Sequence, residues 1–341
     1  MMNAPQLSAY TVVGCGAIGG TLAYHLARAG HPVTVVDADP EHIAAISANG
    51  ITLVRAGESA SVPVQSAITP GTTGDFTITR VLLAVKAQAT ETALEWIAPR
   101  LREDGFVVSL QNGLNEDAIA GKIGAHRTVG AFVNLFADVS GPGQIQDGGL
   151  GALVVGEMDG SSSERVQGVV KDLQVWGPAR ATTNVAGYLW SKLGFGAMLS
   201  ATALADAPMA NLIDRHRQCM YQLTAEIFEV ARAENVALEP FDAFDPAPYA
   251  GGDLQAKDVA TDRLVEWLRA QAKDRSGIWR DLAIRRRPTE VPTHYGAVLR
   301  CAESNDVPTP LLRRMLEHIA DLEGGGEMSE ERLQNLTTAV A

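Results

Sequence analysis

Short apolar runs alternate with helical patterns along the first half of the chain. The runs YTVVG (10–14) and PVTVVD (32–37) are rich in β-branched residues and predict strands. Between them, residues 20–30 have helical spacing and end at a glycine, which predicts a helix. The runs RVLLAVK (80–86) and GFVVSLQ (105–111) are almost continuously apolar, which is typical of interior strands in a parallel sheet that is covered on both faces. This β-α-β alternation predicts a doubly wound α/β domain.

The pattern changes after about residue 178. Strand-like runs stop, and helical patterns cover 185–205, 209–235, 256–287 and 293–322. We therefore expect a second domain that is mostly α-helical. The expected division is a dinucleotide-binding domain over 1–180, a helical substrate and catalytic domain over 181–325, and a tail over 326–341.

One connection between the predicted helices is rich in proline and glycine. It covers 238–253 and carries Phe241, Phe244 and Tyr249, which is more apolar surface than a plain linker needs. Two interpretations remain open: the connection packs over a cleft, or it folds onto the helical core.

Composition and charge narrow the class of protein. The chain has 341 residues, 46% of them hydrophobic and 20% charged, which fits a soluble protein of two domains. The net charge of −12 gives no electrostatic reason to expect nucleic acid or an anionic membrane as partner. Three scattered cysteines favour a reducing cytoplasm, and neither they nor the seven histidines have the spacing of metal ligands. No basic and apolar leader is recognisable at the start, and no apolar run is long enough to cross a bilayer.

The segment after the first strand carries a glycine pattern. VVGCGAIGG contains G-x-G-x-x-G at Gly14, Gly16 and Gly19, between a predicted strand and a predicted helix. The first glycine allows a tight turn, the second lets a pyrophosphate approach the backbone, and the third allows close packing of helix on strand. The helix start, with Ala17 and Ile18, offers free N–H groups to phosphates. The pattern predicts a dinucleotide site of the Rossmann type.

Three further residues follow predicted strands of this domain. Asp37 ends the second strand, where a carboxylate accepts hydrogen bonds from ribose hydroxyls and repels a 2′-phosphate. We therefore expect NAD rather than NADP, although NADP stays open. Lys86 and Asn112 follow the next two strands, and ligands in such folds bind beyond the carboxyl ends of strands. We expect both to face the cofactor crevice.

A lysine interrupts the apolar pattern YLWSKLGFGAMLS (188–200). Burying an ammonium group is costly unless a partner or a reaction requires it. Lys192 is therefore either a long side chain that reaches water or a functional group.

The ordered set of motifs resembles the ketopantoate reductase family. The matching pieces are VVGCGAIGG (12–20), AVKAQATE (84–91), SLQNG (109–113), GPGQIQDGGLGALVVGE (141–157), YLWSKL (188–193), SGIWRDLAIRRRPTEV (276–291) and NDVPTPLL (305–312). The resemblance implies a Rossmann domain followed by a helical domain, with reduction of the ketone of a small 2-oxo acid by a nicotinamide cofactor. It implies Lys192 as the catalytic lysine and general acid, Glu290 as the active-site glutamate, Asn112 as the family's asparagine after the strand, and Ser276 as a serine that contacts the substrate. A homodimer is compatible with it.

The chain departs from this family beside the lysine. Members carry asparagines four and eight positions after the lysine, where this chain has Gly196 and Ser200. Helical spacing places both on the face of Lys192, so we expect them to line a substrate pocket that is wider and has fewer hydrogen-bonding groups. An NAD-linked dehydrogenase of a bulkier 2-hydroxy acid or other alcohol, similar to D-mandelate dehydrogenase, is therefore a second hypothesis. A dinucleotide-binding sensor without turnover is a third.

Four of these site residues also have a purely structural interpretation. Glu290 would then be a surface carboxylate, Ser276 a helix-start serine, and Ser200 a small residue at a helix contact, while Lys192 would be solvated.

Overall fold

The computed structural model describes residues 7–72, 74, 76–271 and 273–338. The chain divides into two compact units, Met1–Val185 (unit 1) and Ala186–Ala341 (unit 2). The division thus falls after Val185, where the sequence suggested residue 180.

Unit 1 is an α/β domain. Within the described residues its strands are β1 (Tyr10–Val13), β2 (Val33–Val36), β3 (Ile51–Arg55), β4 (Glu58–Val62), β5 (Ser66–Ile68), β6 (Ile78–Leu83), β7 (Leu101–Ser109), β8 (Thr128–Asn134), β9 (Ala137–Gly141), β10 (Gln144–Asp147), β11 (Ala152–Glu157) and β12 (Ala179–Ala181). Its helices are α1 (Ala17–Arg28), α2 (Pro40–Asn49), α3 (Thr90–Ile97), α4 (Glu116–Ile123) and α5 (Glu164–Leu173).

Eight of these strands form one mostly parallel sheet. The order is β12-β11-β8-β7-β6-β1-β2-β5, and the β8–β11 pair is antiparallel. Successive strand residues point to opposite faces, so Val12 and Val35 join one buried apolar cluster while Val13 and Val36 join another. The sheet is therefore covered on both faces, which confirms the predicted fold class for this unit.

A second, four-stranded sheet was not predicted. Its order is β4-β3-β10-β9, and Ala56 and Gly57, both with positive φ, make the tight turn between β3 and β4. β4 is polar and largely exposed, so it lacks the apolar pattern that identifies a strand. The sheet packs on α1, and a Cβ added at Gly20 would lie 2.0 Å from Cδ1 of Ile145 on β10.

Unit 2 is helical, as predicted. Within the described residues its helices are α6 (Val185–Thr202), which starts at the unit boundary, α7 (Met209–Arg215), α8 (Arg217–Ala233), α9 (Pro246–Ala250), α10 (Leu254–Arg269), α11 (Gly277–Ala283), α12 (Val291–Ser304), α13 (Pro310–Glu323) and α14 (Glu330–Thr338). No helix among the described residues is long and apolar enough to span a membrane.

Three of the long helical patterns are each divided into two helices. The pattern over 209–235 breaks at His216, whose φ of −114° and ψ of 34° are not helical. The pattern over 256–287 becomes α10 and α11, and the pattern over 293–322 becomes α12 and α13. Pro310 begins α13, because proline is tolerated in the first turn of a helix but not in its interior.

The aromatic connection over 238–253 folds onto the helices of unit 2. The ring of Phe244 lies 5.3 Å from that of Phe195 on α6 and stacks on Tyr249 at 5.3 Å, measured between ring centroids. Phe241 also packs against Phe195, and all four rings are buried. Within unit 2, the packing on the helical core is thus the interpretation that the structure supports.

Helix α14 lies in the segment that the sequence suggested to be a tail. Leu333 and Leu336 on this helix are buried. The Glu330 carboxylate accepts two hydrogen bonds of 2.9 Å from Arg215 and lies 2.7 Å from Nε2 of His216. Helix α14 is therefore packed onto the other helices of unit 2. Residues 339–341 lie outside the described range.

Candidate functional site

The glycine loop connects β1 to α1 and admits no larger residue at two positions. Gly14 has φ of +90°, and a Cβ added there would lie 2.6 Å from the backbone N of Val85. A Cβ at Gly19 would lie 2.0 Å from the carbonyl oxygen of Gly14. At Gly16, in contrast, an added Cβ would meet nothing within 4 Å, so this side of the loop has room for a ligand.

The loop ends where α1 starts. Gly16 is the N-cap residue, and the N–H of Gly20 donates to its carbonyl oxygen at 2.8 Å. Ala17, Ile18 and Gly19 form the first turn, whose N–H groups have no acceptor within the helix. These donors and the helix dipole suit a pyrophosphate, so the residues present fit a bound dinucleotide.

Asp37 follows β2 and is tied to the glycine loop. Its Oδ2 accepts a hydrogen bond of 2.7 Å from the N–H of Cys15, and its Oδ1 accepts one of 3.0 Å from the N–H of Asp39. The carboxylate is half-buried. A carboxylate oxygen has more than one acceptor site, so both oxygens can still accept from ribose hydroxyls.

Lys86 and Asn112 follow β6 and β7; β6 lies next to β1 in the sheet, β7 lies next to β6, and both pairs are parallel, so the two residues lie at the same end of the strands. Nε2 of Gln111 donates to the carbonyl oxygen of Val85 at 3.0 Å and ties the two segments together. Nδ2 of Asn115 donates to the carbonyl oxygen of Asn112 at 2.7 Å and holds that turn. Lys86 is exposed and Asn112 half-buried.

Lys192 lies in the middle of α6 in unit 2. It is half-buried between the buried residues Ser191 and Leu193. Burial lowers the pKa of its ammonium group to about 8, because a charged group loses solvation there. The negative charges of Asp242 and Glu290 act in the opposite direction and favour the ammonium form. The charge of Lys192 is thus influenced by two carboxylates from distant parts of the chain.

Asp242 was missed in the sequence analysis. It lies in the aromatic connection with φ of +46°, a left-handed conformation that aspartate tolerates. The connection is fastened beside Lys192, since the N–H of Glu239 donates to Oγ of Ser191 at 3.1 Å and Phe241 packs on Phe195 at 6.0 Å between centroids. A single acidic residue in a loop carries no sequence signal for such a position.

Glu290 is the N-cap residue of α12 and is half-buried. The segment before it is fixed, because the N–H and hydroxyl of Thr289 donate to Oε1 of Glu323 at 2.7 and 2.8 Å. Oε1 of Glu290 lies 3.8 Å from Nε2 of His294, one turn along the helix.

Gly196 and Ser200 follow Lys192 at one-turn intervals. The hydroxyl of Ser200 is buried and donates back to the carbonyl oxygen of Gly196 at 2.8 Å. Tyr295 on α12 donates to the carbonyl oxygen of Leu193 at 2.9 Å, and its hydroxyl would lie 3.1 Å from a Cβ at position 196. The expectation of a wider pocket here therefore needs correction, because Tyr295 takes part of the space that an asparagine would fill.

Ser276 is the N-cap residue of α11. Its side chain is buried, and Oγ accepts from the N–H of Trp279 at 3.1 Å. This is the helix-start role that the sequence left as an alternative to substrate contact.

The structure thus groups the expected residues within each unit. Unit 1 places the glycine loop, Asp37, Lys86 and Asn112 at the carboxyl ends of adjacent strands. Unit 2 places Lys192 near Glu290 and adds Asp242, while Ser200 and Ser276 bond to their own helices. Across the described residues, no group of three or more His, Cys, Asp or Glu side chains could hold a metal ion.

Known proteins resemble the chain over most of its length. The family model described as "Ketopantoate reductase PanE/ApbA" matches residues 10–160, and the model of its C-terminal domain matches residues 184–323. The 2-dehydropantoate 2-reductase of Mesorhizobium japonicum is 29% identical over 332 residues, covering 90% of this chain and 95% of that protein. The enzyme of the same name from Lactococcus lactis is 25% identical over 309 residues, covering 88% and 93%.

Solved structures show the same fold. The PanE/ApbA family ketopantoate reductase of Ralstonia eutropha aligns with a TM-score of 0.77 at 25% identity, covering 93% of this chain and 99% of that one. D-Mandelate dehydrogenase, solved with NADH and anilino(oxo)acetate, aligns with a TM-score of 0.78 at 19% identity, covering 93% and 98%. That identity supports the fold alone. Because two models of one family together account for most of the chain, the protein belongs to the ketopantoate reductase family of oxidoreductases.

Proposed function

We propose that the protein is a nicotinamide-dependent reductase of a 2-oxo acid in which Lys192 is the general acid. The observation that carries this proposal is the environment of Lys192: a half-buried ammonium group opposed to two carboxylates, with its pKa lowered to about 8. A proton donor works best when its pKa lies near the working pH. A lysine that is only a solvated residue on a helix surface would not need burial or neighbouring carboxylates.

A reduced nicotinamide dinucleotide, when bound at the glycine loop, would supply the hydride that the carbonyl carbon of the substrate accepts. Lys192 then stabilises the negative charge that develops on the carbonyl oxygen and gives that oxygen a proton from Nζ. Such general-acid assistance accounts for about 10²–10⁴-fold in rate. Glu290 and Asp242 keep the amine charged and oriented, and Glu290 can accept a hydrogen bond from a substrate hydroxyl.

The glycine loop, Asp37 and the turns at Lys86 and Asn112 form the dinucleotide site in this proposal. The donors at the start of α1 bind the pyrophosphate, and Asp37 accepts from the ribose hydroxyls. We infer a preference for NAD, because a 2′-phosphate would lie against the Asp37 carboxylate. Asn112 orients the nicotinamide amide.

A second candidate is the oxidation of a bulkier 2-hydroxy acid. Gly196 favours it only through its missing side chain, since no group at this position beside Lys192 offers a hydrogen bond to a small polar substrate; Tyr295 fills part of the space there. Neutral Lys192 would take the hydroxyl proton in this direction. We leave Ser200 and Ser276 out of the substrate contacts, because their hydroxyl groups already serve α6 and α11.

A substrate screen tests both candidates. Purified protein is supplied with NADH or NADPH and with ketopantoate, branched 2-oxo acids or benzoylformate, and the nicotinamide absorbance is followed; the 2-hydroxy acids with NAD and NADP test the reverse direction. We expect turnover of at least one 2-oxo acid with NADH. Turnover of ketopantoate with NADPH alone would contradict the role given to Asp37. Tight NADH binding without any turnover would contradict the reductase and favour a sensor.

A further inference from the structure

His42 is a buried histidine on α2 with no role in the reaction described above. Its exposed fraction is 5%, and both ring nitrogens contact backbone groups. Nδ1 accepts a hydrogen bond of 3.1 Å from the N–H of Gly143, so Nδ1 carries no hydrogen. Nε2 therefore carries the hydrogen and donates it to the carbonyl oxygen of Cys15 at 2.9 Å.

Cys15 is the residue between the first two glycines of the dinucleotide loop. Its N–H donates to Oδ2 of Asp37 at 2.7 Å, while its carbonyl oxygen accepts from His42. Side chains from the segment after β2 thus hold both backbone polar groups of Cys15. Because a trans peptide is planar, fixing the carbonyl of Cys15 also fixes the direction of the next N–H, that of Gly16.

The Gly143 turn, whose N–H donates to Nδ1 of His42, is itself held in place by further contacts. Gly143, with φ of +69°, makes the turn between β9 and β10, and its carbonyl oxygen accepts from the N–H of Thr52 on β3 at 2.9 Å. A Cβ at Gly143 would lie 3.2 Å from Ala45 on α2, so the turn is packed against the same helix that carries His42. The small sheet therefore anchors His42, and His42 connects the sheet to the glycine loop.

We propose that His42 is a positioning residue for cofactor binding, which holds the peptide between Cys15 and Gly16 in the orientation that receives the pyrophosphate. A loop with two flexible glycines loses conformational freedom when it binds a ligand. Holding the loop in advance removes part of that loss, so His42 contributes to dinucleotide affinity without touching the dinucleotide. The inference rests on the dinucleotide role proposed for this loop.

Direct binding measurements test this role. The probes are NADH, followed by fluorescence, and ADP-ribose, followed by calorimetry. His42→Leu keeps the bulk of the side chain and removes both hydrogen bonds, and we expect it to weaken both probes by a similar factor of about ten. His42→Gln retains a donor at the position of Nε2 and should stay within about threefold of the wild type. At saturating NADH, kcat and the KM of the 2-oxo acid should be nearly unchanged while the KM of NADH rises.

His31 provides the matched control. It is also buried in unit 1, with Nδ1 3.0 Å from the carbonyl oxygen of Ser8, but it precedes β2 and lies away from the loop. His31→Gln should destabilise the unit and leave both dissociation constants unchanged. The proposal is overturned if folded His42→Leu protein binds ADP-ribose as the wild type does, or if His31→Gln weakens binding equally. Failure of every 2-oxo acid as substrate would count against the proposed reaction only, because the dissociation constants of NADH and ADP-ribose are measured without turnover.

Discussion

Tyr295 donates a hydrogen bond to the carbonyl oxygen of Leu193 at 2.9 Å, and this bond holds its hydroxyl one turn of α6 beyond Lys192. A Cβ at position 196 would approach that hydroxyl to 3.1 Å, which is closer than such contacts normally come. Burial raises the pKa of the Tyr295 phenol, so it remains a neutral donor. The glycine in α6 and the tyrosine in α12 therefore fit each other.

This fit predicts a coupling between the two positions. In a helix interior, Gly→Ala normally stabilises by about 0.5–1 kcal/mol. At Gly196 the new methyl would press on a buried, bonded hydroxyl, so we expect Gly196→Ala to lower the free energy of unfolding by about 1 kcal/mol. In the background of Tyr295→Phe the same substitution should become stabilising. A double-mutant cycle by urea unfolding measures the difference.

Gly296 is the control for that cycle. It lies inside α12, and an added Cβ would lie 3.7 Å from the end of the Arg300 side chain, which is an ordinary contact. Gly296→Ala should therefore stabilise. Equal effects of Gly196→Ala with and without the Tyr295 hydroxyl would show that the two residues are independent.

Replacement of Lys192 tests its role as acid. Lys192→Ala should reduce kcat for 2-oxo acid reduction by about 10²–10⁴-fold, since it removes both the proton donor and the positive charge. Lys192→Arg keeps the charge but should recover little, because guanidinium does not give up its proton near neutral pH. The affinity for NADH should persist in both variants. Full turnover by Lys192→Ala would refute the mechanism.

Asp242 should shift the pH dependence of the reaction. Reduction needs the ammonium form, so kcat/KM should be constant at low pH and fall as the pH rises through about 8, while oxidation should rise there. Asp242 favours the ammonium form, so Asp242→Asn should lower the pKa of Lys192 and move the falling limb to lower pH. Rate profiles between pH 6 and about 10 measure this limb.

Asp245 lies in the same connection and provides the comparison for Asp242. Its carboxylate accepts from the N–H of Ala247 at 3.0 Å and caps α9, a role that asparagine fills as well. Asp245→Asn should leave the limb in place. An unmoved limb in Asp242→Asn would mean that this carboxylate does not influence Lys192.

Local sequence patterns predicted a glycine loop between a strand and a helix, a helical second domain, and a helix in which a lysine interrupts an apolar pattern. Each depends on residues that are close in the chain: a strand followed by glycines, a 3.6-residue period, a charge in an apolar run. The contacts around Lys192 are different in kind. Asp242 and Tyr295 come from distant segments whose positions follow from the packing of Phe241 and Phe195 and of α12 on α6, and neither segment has a pattern that specifies its partner.

The bridge through His42 has the same origin. His42 bonds to the carbonyl oxygen of Cys15 and to the N–H of Gly143. Every residue except proline has both backbone groups, so the sequence does not indicate which of them His42 contacts. The small sheet that supplies Gly143 was missed because β4 is exposed and polar. Sequence therefore predicted where the glycine loop and the lysine lie in the fold, and long-range packing determined what surrounds them; the chemistry of both stays a prediction.

Asp37 should determine the choice of cofactor. Asp37→Ser removes the negative charge next to the expected position of the 2′-substituent, so we expect the ratio of NADPH to NADH affinity to rise by at least about tenfold. NADH itself should bind more weakly, because Asp37 also holds the N–H of Cys15. The exposed Glu41 in the first turn of α2 is the comparison, and Glu41→Gln should leave the ratio unchanged. An unchanged ratio in Asp37→Ser would remove the basis for an NAD preference.

Glu116, at the start of α4 and just beyond the Asn112 turn, should make the stability of unit 1 depend on pH. The carboxyl is 3% exposed; Oε2 accepts from the N–H of Asn115 at 3.0 Å, whereas Oε1 has no hydrogen-bond partner among the described residues. Burial raises its pKa from 4.5 to about 7. Because the folded state binds this proton more tightly, stability is highest below the unfolded pKa and falls as the pH rises to about 7, by about 3 kcal/mol.

Glu116→Gln removes the titrating group and should remove that loss. Against the wild type, the variant should gain about 3 kcal/mol in the free energy of unfolding between pH 4 and about 8, measured by urea unfolding at a series of pH values. Glu164 also begins a helix of unit 1 but is exposed, so the curve of Glu164→Gln should run parallel to that of the wild type. A parallel curve for Glu116→Gln would show that this carboxyl is solvated in the folded protein.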